Sequence, residues 1–351
     1  MLSEFEVTEK EKNVKEEVVN VTQRDLDILL DLYTYRTLTT DQINKRYFDN
    51  RKNKDYLYRR MYLLRKRNLI TSYPLLYENG LKKTSCYRLT DKGIRTLIDY
   101  GLLDENEVKK IRSWHFNIPN PLQLQFIVDA NTVMVELSES GWNMLDSRTV
   151  KEEHQMDKNN RVLGMLINQD GHEHALYIFQ NNPTDITITR IVNEIQKEKY
   201  QNVICLCKGQ DGFIKLIREI EQKNKHHSLV TGELSVMPFN LGIEFYKKFN
   251  AESQFVKLFT NFGEVKPNST RLKFTKYCIN YQGEDMYLVN MLNNNVVILD
   301  ILERYSYEHY QLNGIKCVLF AWDSQIQQLK ERFAQYPHII LQGLSKEMIL
   351  G

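Results

Sequence analysis

From Thr22 to Gly93 the apolar positions recur first with a helical period and then with a strand period. Leu26, Leu29, Leu30 and Tyr33 form one stripe behind Thr22, a candidate N-cap, and predict a first helix. Thr39 or Thr40 caps a second, with Ile43 and Tyr47 facing inward. In the segment KDYLYRRMYLLRKRN, a helix over roughly 53–68, Leu57, Met61 and Leu64 fall on one face at 100° per residue. Asp55, Arg59, Tyr62 and Lys66 lie opposite, with Tyr58 and Arg65 on a flank. Residues 69–73 and 85–89 then read as strands of a hairpin around Asn79-Gly80, with Lys82 and Lys83 near its tip, and Thr90-Asp91 caps a helix to about Tyr100. Three helices, a hairpin and a closing helix are the order of a winged helix-turn-helix.

Beyond Trp114 strands and helices alternate. Pro119 and Pro121 mark a linker, and 122–139 is an apolar helix using Leu122, Phe126, Val133 and Leu137. Strands follow at 142–145, 162–168 and 174–180, then a helix at 186–200, a strand at 203–207, a helix at 212–223 and a short strand at 228–230. The C-terminal third repeats this order: a hairpin of 272–280 and 286–292, a helix at 296–310, a strand at 317–321, a helix at 325–335 and a strand at 338–341. The two units stand about 110 residues apart, with Tyr177 answering Leu288 and Val203 answering Ile315. Internal duplication is one explanation and convergent patterning the other. The expected fold class is α+β with α/β parts: a flexible arm over 1–20, a winged helix-turn-helix over 21–112, and similar α/β lobes over 119–235 and 236–351.

Charge turns this fold reading toward function. Residues 45–88 hold thirteen Lys or Arg against three acids, a net of +10; the whole chain is only +2, so the remainder carries −8. Concentrated cations are rewarded by phosphate neutralisation, whereas an ordinary solvated surface mixes its signs. Arg59 and Tyr62 are therefore expected at base edges, and Arg51, Lys52, Lys66, Lys82 and Lys83 at phosphates, with Lys54, Tyr58 and Arg65 beside them. The alternative is a helix face that is merely solvated. One such reader covers a short half-site, so a homo-oligomer on double-stranded DNA is expected.

Other chemistry is sparse. No run of about 18 apolar residues exists and the N-terminus is charged, which predicts a cytoplasmic chain with no membrane partner. The five cysteines include no Cys-x-x-Cys pair; Cys205 and Cys207 share one face of an apolar strand. His172 and His174 stand two apart on a hairpin, where both could face one ligand, but spacing fixes no third, and His226-His227 follows a Lys-rich helix end. No phosphate-binding Gly-rich loop or nucleophile elbow is present, so no cofactor, metal or catalytic residue is assigned.

The run Tyr87-Arg88-Leu89-Thr90-Asp91-Lys92-Gly93 resembles the wing-to-helix join of many bacterial winged-helix proteins. With His115, the apolar helix after it and the α/β lobe, residues 20–205 resemble the replication-relaxation family of plasmid and mobile-element proteins in Gram-positive bacteria. That resemblance implies an endonuclease-like lobe in which one strand begins Pro-Asp and the next carries Glu-x-Asp followed by Thr. Here Arg161-Val162-Leu163-Gly164 and Phe179-Gln180-Asn181 stand at those places, and only Thr184 and Tyr200 match. A two-carboxylate nuclease needs acidic oxygens for its metal, so the lobes are expected to be scaffolds rather than catalysts. The expected function is sequence-specific DNA binding at a plasmid or phage origin, with replication proteins as further candidate partners. A winged-helix transcriptional regulator is the runner-up, and a metal-dependent nicking protein or nuclease the third possibility.

Overall fold

Thr22 Oγ1 accepts from the Asp25 N–H at 3.3 Å while the Asp25 carboxylate accepts from the Thr22 N–H at 2.7 Å, and this reciprocal cap starts α1 (Gln23–Thr34). The same device, Thr39 with Gln42, starts α2 (Thr40–Tyr47) directly after the two-residue strand β1 (Leu38–Thr39). Helix α3 (Asp55–Lys66) has no side-chain cap and is held by its apolar stripe, since Leu57, Met61 and Leu64 are all buried. Strands β2 (Ile70–Leu76) and β3 (Lys82–Leu89) pair antiparallel, and β1 adds to β3, giving the order β1-β3-β2. At the start of α4 (Asp91–Asp99), Thr90 Oγ1 accepts from the Gly93 N–H at 3.2 Å, and any Cβ at Gly93 would collide with the Leu69 carbonyl oxygen. The Leu-Thr-Asp-Lys-Gly run is thus a tight helix entry against the end of α3.

The computed structural model describes residues 21–48, 54–76, 82–106, 108–109, 120–224, 229–270 and 274–351. The expected arm, Arg51, Lys52, the Asn79-Gly80 turn, His115 and His226-His227 lie outside the described residues. Within them the protein is mixed α+β, with fourteen helices and three open sheets.

Helix α5 (Pro121–Ser138) follows, with Asn120 as its cap and Pro121 in its first turn. Its faces serve different neighbours: Met134 and Val135 join the core of α1 to α4, Leu124 and Val128 pack on Leu75 and Cys86, and Ala130, Val133 and Leu137 face the next sheet. A helix apolar on all sides is a buried helix, and this one is shared between two cores. Polar contacts fasten it: Gln42 donates to the Val128 carbonyl at 2.8 Å, and Asn131 to those of Thr37 and Tyr35 at 2.5 and 3.1 Å. The segment expected to begin a separate lobe therefore also completes the N-terminal core.

The second sheet is built from β4 (Asn143–Asp146), β5 (Gly164–Ile167), β6 (Glu173–Phe179), β7 (Asn202–Cys207) and β8 (Leu234–Pro238) in that order. The first three run antiparallel and the last two parallel to β6. Helices α6 (Ser147–Glu153), α7 (Asp185–Glu198), α8 (Gln210–Asn224) and α9 (Phe239–Lys248) connect or follow them. After α10 (Glu252–Phe259) the third sheet repeats that plan with β9 (Gly263–Pro267), β10 (Tyr277–Tyr281), β11 (Glu284–Asn290), β12 (Cys317–Trp322) and β13 (Ile339–Leu344). Its pairings are again two antiparallel and then two parallel. Its helices are α11 (Val296–Arg304), α12 (Tyr307–Asn313), α13 (Ile326–Arg332) and α14 (Lys346–Leu350).

Several expectations change. The strand expected at 228–230 is β8, at Leu234–Pro238, which crosses the boundary expected at residue 235. The stretch 239–267, left without elements by its pattern, supplies α9, α10 and β9. Ser306 caps a new helix and so divides the helix expected over 296–310. Register also moves the correspondence by one residue: Tyr177 pairs with Cys205 as Tyr287, not Leu288, pairs with Cys317. Each Tyr meets a second one edge-on, Tyr200 at 6.3 Å and Tyr305 at 5.9 Å between ring centres. Residues of both sheets share two continuous cores, so neither half closes a core alone.

Glu194 of α7 is a structural keystone in the first half. Its buried carboxylate accepts from the Arg161 N–H at 2.7 Å, the Val162 N–H at 3.1 Å and the Tyr177 hydroxyl at 2.8 Å. Alanine there strands three donors, so Glu194→Ala is expected to remove about 2–4 kcal/mol of stability. Urea unfolding reads this as a lower midpoint at unchanged slope.

Candidate nucleic-acid interface

Burial of Leu57, Met61 and Leu64 turns the opposite face of α3 to solvent. Tyr58, Arg59, Tyr62, Arg65 and Lys66 are all exposed there, and the Tyr58 and Tyr62 rings keep 52% and 58% of their surface. An exposed tyrosine pair one helical turn apart is an unusual surface for solubility and a good one for stacking on or packing against bases. Arg65 donates to Ser72 Oγ on β2 at 3.1 Å, which ties the helix end to the hairpin. Tyr56, which spacing alone does not single out, is 55% exposed, and its ring meets Phe48 edge-on at 5.8 Å. Lys82 begins β3 and Lys83 follows it, on the strand leading away from the hairpin tip.

Several of the thirteen cations between residues 45 and 88 do not contribute to this surface. Lys45 turns to Glu136 of α5 at 2.5 Å, Arg46 pairs with Asp31, Arg60 pairs with Asp25, and Arg88 is buried. Lys54, expected among the DNA contacts, forms an ion pair with Asp41 at the foot of α3. Four of the thirteen cations thus serve the fold and a fifth has a local partner. What remains on the α3 face is Arg59, Arg65 and Lys66 interleaved with Tyr58 and Tyr62.

Where the resemblance would put acidic residues, the side chains have other partners. Gln180 donates to Asp129 of α5 at 2.8 Å, and Lys208, after β7, donates to both oxygens of the same carboxylate at 2.8 Å. The Lys208 ammonium also lies 5.4 Å from the Phe239 ring centre. This is one carboxylate neutralised by one lysine, a tie between α5, β6 and β7. An Asp set among the apolar positions of α5 was the signal for it. At the start of β11, Glu284 pairs with Lys316 at 2.7 Å and Asp285 accepts from Asn280 at 2.9 Å. Among the described residues no three His, Cys, Asp or Glu are grouped to hold a metal. Burial pushes the Cys207 thiol up to about 12 and Cys205 well above its ordinary range, which keeps both protonated.

His172 and His174 line a cavity between the two five-stranded sheets. Burial first, and the neighbouring His172 second, push His174 down to about 4, below the ordinary value of about 6.5. The unfolded chain therefore binds one more proton between those two pH values, and stability falls as pH drops from about 6.5 to 4. Thermal melts across that range are expected to show this slope, and His174→Gln to flatten it.

No helix of the described residues is long and apolar enough to cross a membrane. Comparison with protein-family models, with curated proteins and with solved structures finds no match for the chain.

Proposed function

We propose that α1 to α4 with β1 to β3 form a winged helix-turn-helix and that the protein binds specific double-stranded DNA through α3. The observation carrying this reading is the α3 face itself: Arg59, Arg65 and Lys66 with Tyr58 and Tyr62, all exposed, opposite a fully buried apolar stripe. A guanidinium suits the bidentate acceptor pair of guanine in the major groove, and the flanking cations suit phosphates. The resemblance to replication-relaxation proteins directs the proposal to a plasmid or phage origin. Repeated sites there would engage a homo-oligomer, and light scattering of the protein with and without site DNA measures that state.

In this proposal the two α/β halves are copies of one endonuclease-like unit that no longer cuts. Identical strand order and pairing sense support it, as do the matched Tyr177, Tyr200 and Cys205 against Tyr287, Tyr305 and Cys317. Supercoiled origin DNA with Mg²⁺ or Mn²⁺ is expected to stay intact; nicking abolished by Glu173→Ala or Asp285→Ala would restore the enzyme reading. The second reading is a transcriptional regulator, favoured by the cavity between the sheets, where a small effector fits. A genome-wide footprint separates the two: repeats in an origin support replication, a promoter supports regulation.

A further inference from the structure

The cavity between the second and third sheets has a volume of about 500 Å³, the size of a small organic molecule. Its polar end is made by the two halves together. Glu233 precedes β8, and Asn293 lies in the turn after β11 whose neighbours Asn294 and Asn295 cover the free edge of β8. Asn294 donates to the Val236 carbonyl at 2.7 Å, and Asn295 accepts from the Leu234 N–H at 3.1 Å. Asn293 is 5% exposed, and its amide donates to a Glu233 carboxylate oxygen at 2.8 Å. That bond orients the Asn293 side chain so that its own Oδ1 is left without a hydrogen-bond partner among the described residues. His174 Nε2, on the same cavity wall, is also buried without one. A buried acceptor left unpaired is costly to a fold, which makes this amide oxygen a place for a donor the chain does not supply.

Charge decides what would bind. The lining holds three carboxylates, Asp170, Glu233 and Glu252, against one ammonium, Lys276, which Glu252 already engages at 3.0 Å. Although Glu233 keeps an exposed surface as a residue, desolvation of its carboxyl raises it above its usual range, by more than the nearby Lys276 ammonium and the Asn293 hydrogen bond lower it. Phe255, Phe274 and Tyr277 add aromatic surface to the same cavity, which favours cations over anions. A bare metal ion fits less well, because among the described residues no three His, Cys, Asp or Glu are grouped to ligate one.

We infer that this cavity binds a small organic cation of the amine or guanidine class, its N–H groups shared between the Glu233 carboxylate and Asn293 Oδ1. The site depends on both halves, so occupancy would also hold the two sheets together.

Isothermal titration of the full-length protein with agmatine, putrescine and spermidine, against succinate and sodium chloride at matched ionic strength, tests this. At least one of the amines is expected to saturate at one site per chain, and succinate to give no heat beyond dilution. Glu233→Gln keeps an oxygen for the Asn293 amide and is expected to weaken binding at least about tenfold. Asp170→Asn, on an exposed turn, keeps an oxygen for the Glu252 N–H at 2.7 Å and is expected to weaken binding by a smaller factor, about two- to threefold. Failure of all three amines to bind at millimolar concentration overturns the inference. So does succinate binding in their place, or undiminished affinity in both variants. The titration contains no DNA, so its outcome stands apart from that of the DNA-binding proposal.

Discussion

Arg60→Ala is expected to cost about 3–5 kcal/mol of folding stability, whereas Arg59→Ala, one residue away, should stay within about 0.5 kcal/mol. Asp25 is completely buried, and its carboxylate is met by the Arg60 guanidinium, by the Thr22 N–H at 2.7 Å and by the Thr22 hydroxyl at 2.8 Å. Removing Arg60 leaves a buried charge without its counter-ion, and that loss is much larger than the worth of a surface pair. The pH response gives an independent signature. Burial raises the Asp25 carboxyl, but the Arg60 and Thr22 hydrogen bonds outweigh it and leave the group below its ordinary value. In the wild type this contributes stability above about pH 3.9 that is lost as pH falls through the lower folded value. Without Arg60 burial dominates, the folded carboxyl titrates above the unfolded one, and the defect should shrink as pH is lowered toward 4. Urea melts of both variants at pH 7 and near pH 4 measure each part. Equal midpoints for Arg60→Ala and wild type at pH 7 would show that the pair does not hold α1 to α3.

Arg59→Ala is expected to act instead on DNA, with a loss of about 1–3 kcal/mol of discrimination between specific and mismatched sites. Lys66→Ala, at the far end of the same face, should weaken binding to all sequences alike and lower the slope of log affinity against log salt by about one unit. The pair separates base reading from phosphate contact on a single helix. Anisotropy titrations at several salt concentrations, with specific and scrambled duplexes, report both quantities. If the two variants match wild type throughout, α3 does not face the DNA.

The sequence by itself determined the elements whose cause is local. Thr22 and Thr39 caps, the stripe of Leu57, Met61 and Leu64, and the Thr90-to-Gly93 helix entry all lie within one or two turns of chain, where 3.6-residue spacing and capping chemistry decide the outcome. Exposure of Tyr58, Arg59, Tyr62, Arg65 and Lys66 followed from that stripe, because a helix with one buried side has only one other. The repeated strand-helix order was legible for the same reason, though a period of two cannot fix register, and Tyr177 was matched one residue off.

What only the tertiary structure decided is which partner each polar group meets across long sequence separation. Arg59 and Arg60 are alike as residues, yet the 100° rotation between them sends one to solvent and the other to Asp25, 35 positions away. Lys45 and Glu136, Gln180 and Asp129, and Glu233 and Asn293 are likewise joined by packing rather than by any spacing along the chain. The cavity between the sheets belongs to this second class. Its walls come from both halves, and Asn293, whose oxygen has no partner among the described residues, is held there by the turn after β11 that covers the open edge of β8 and satisfies backbone groups strand pairing left exposed.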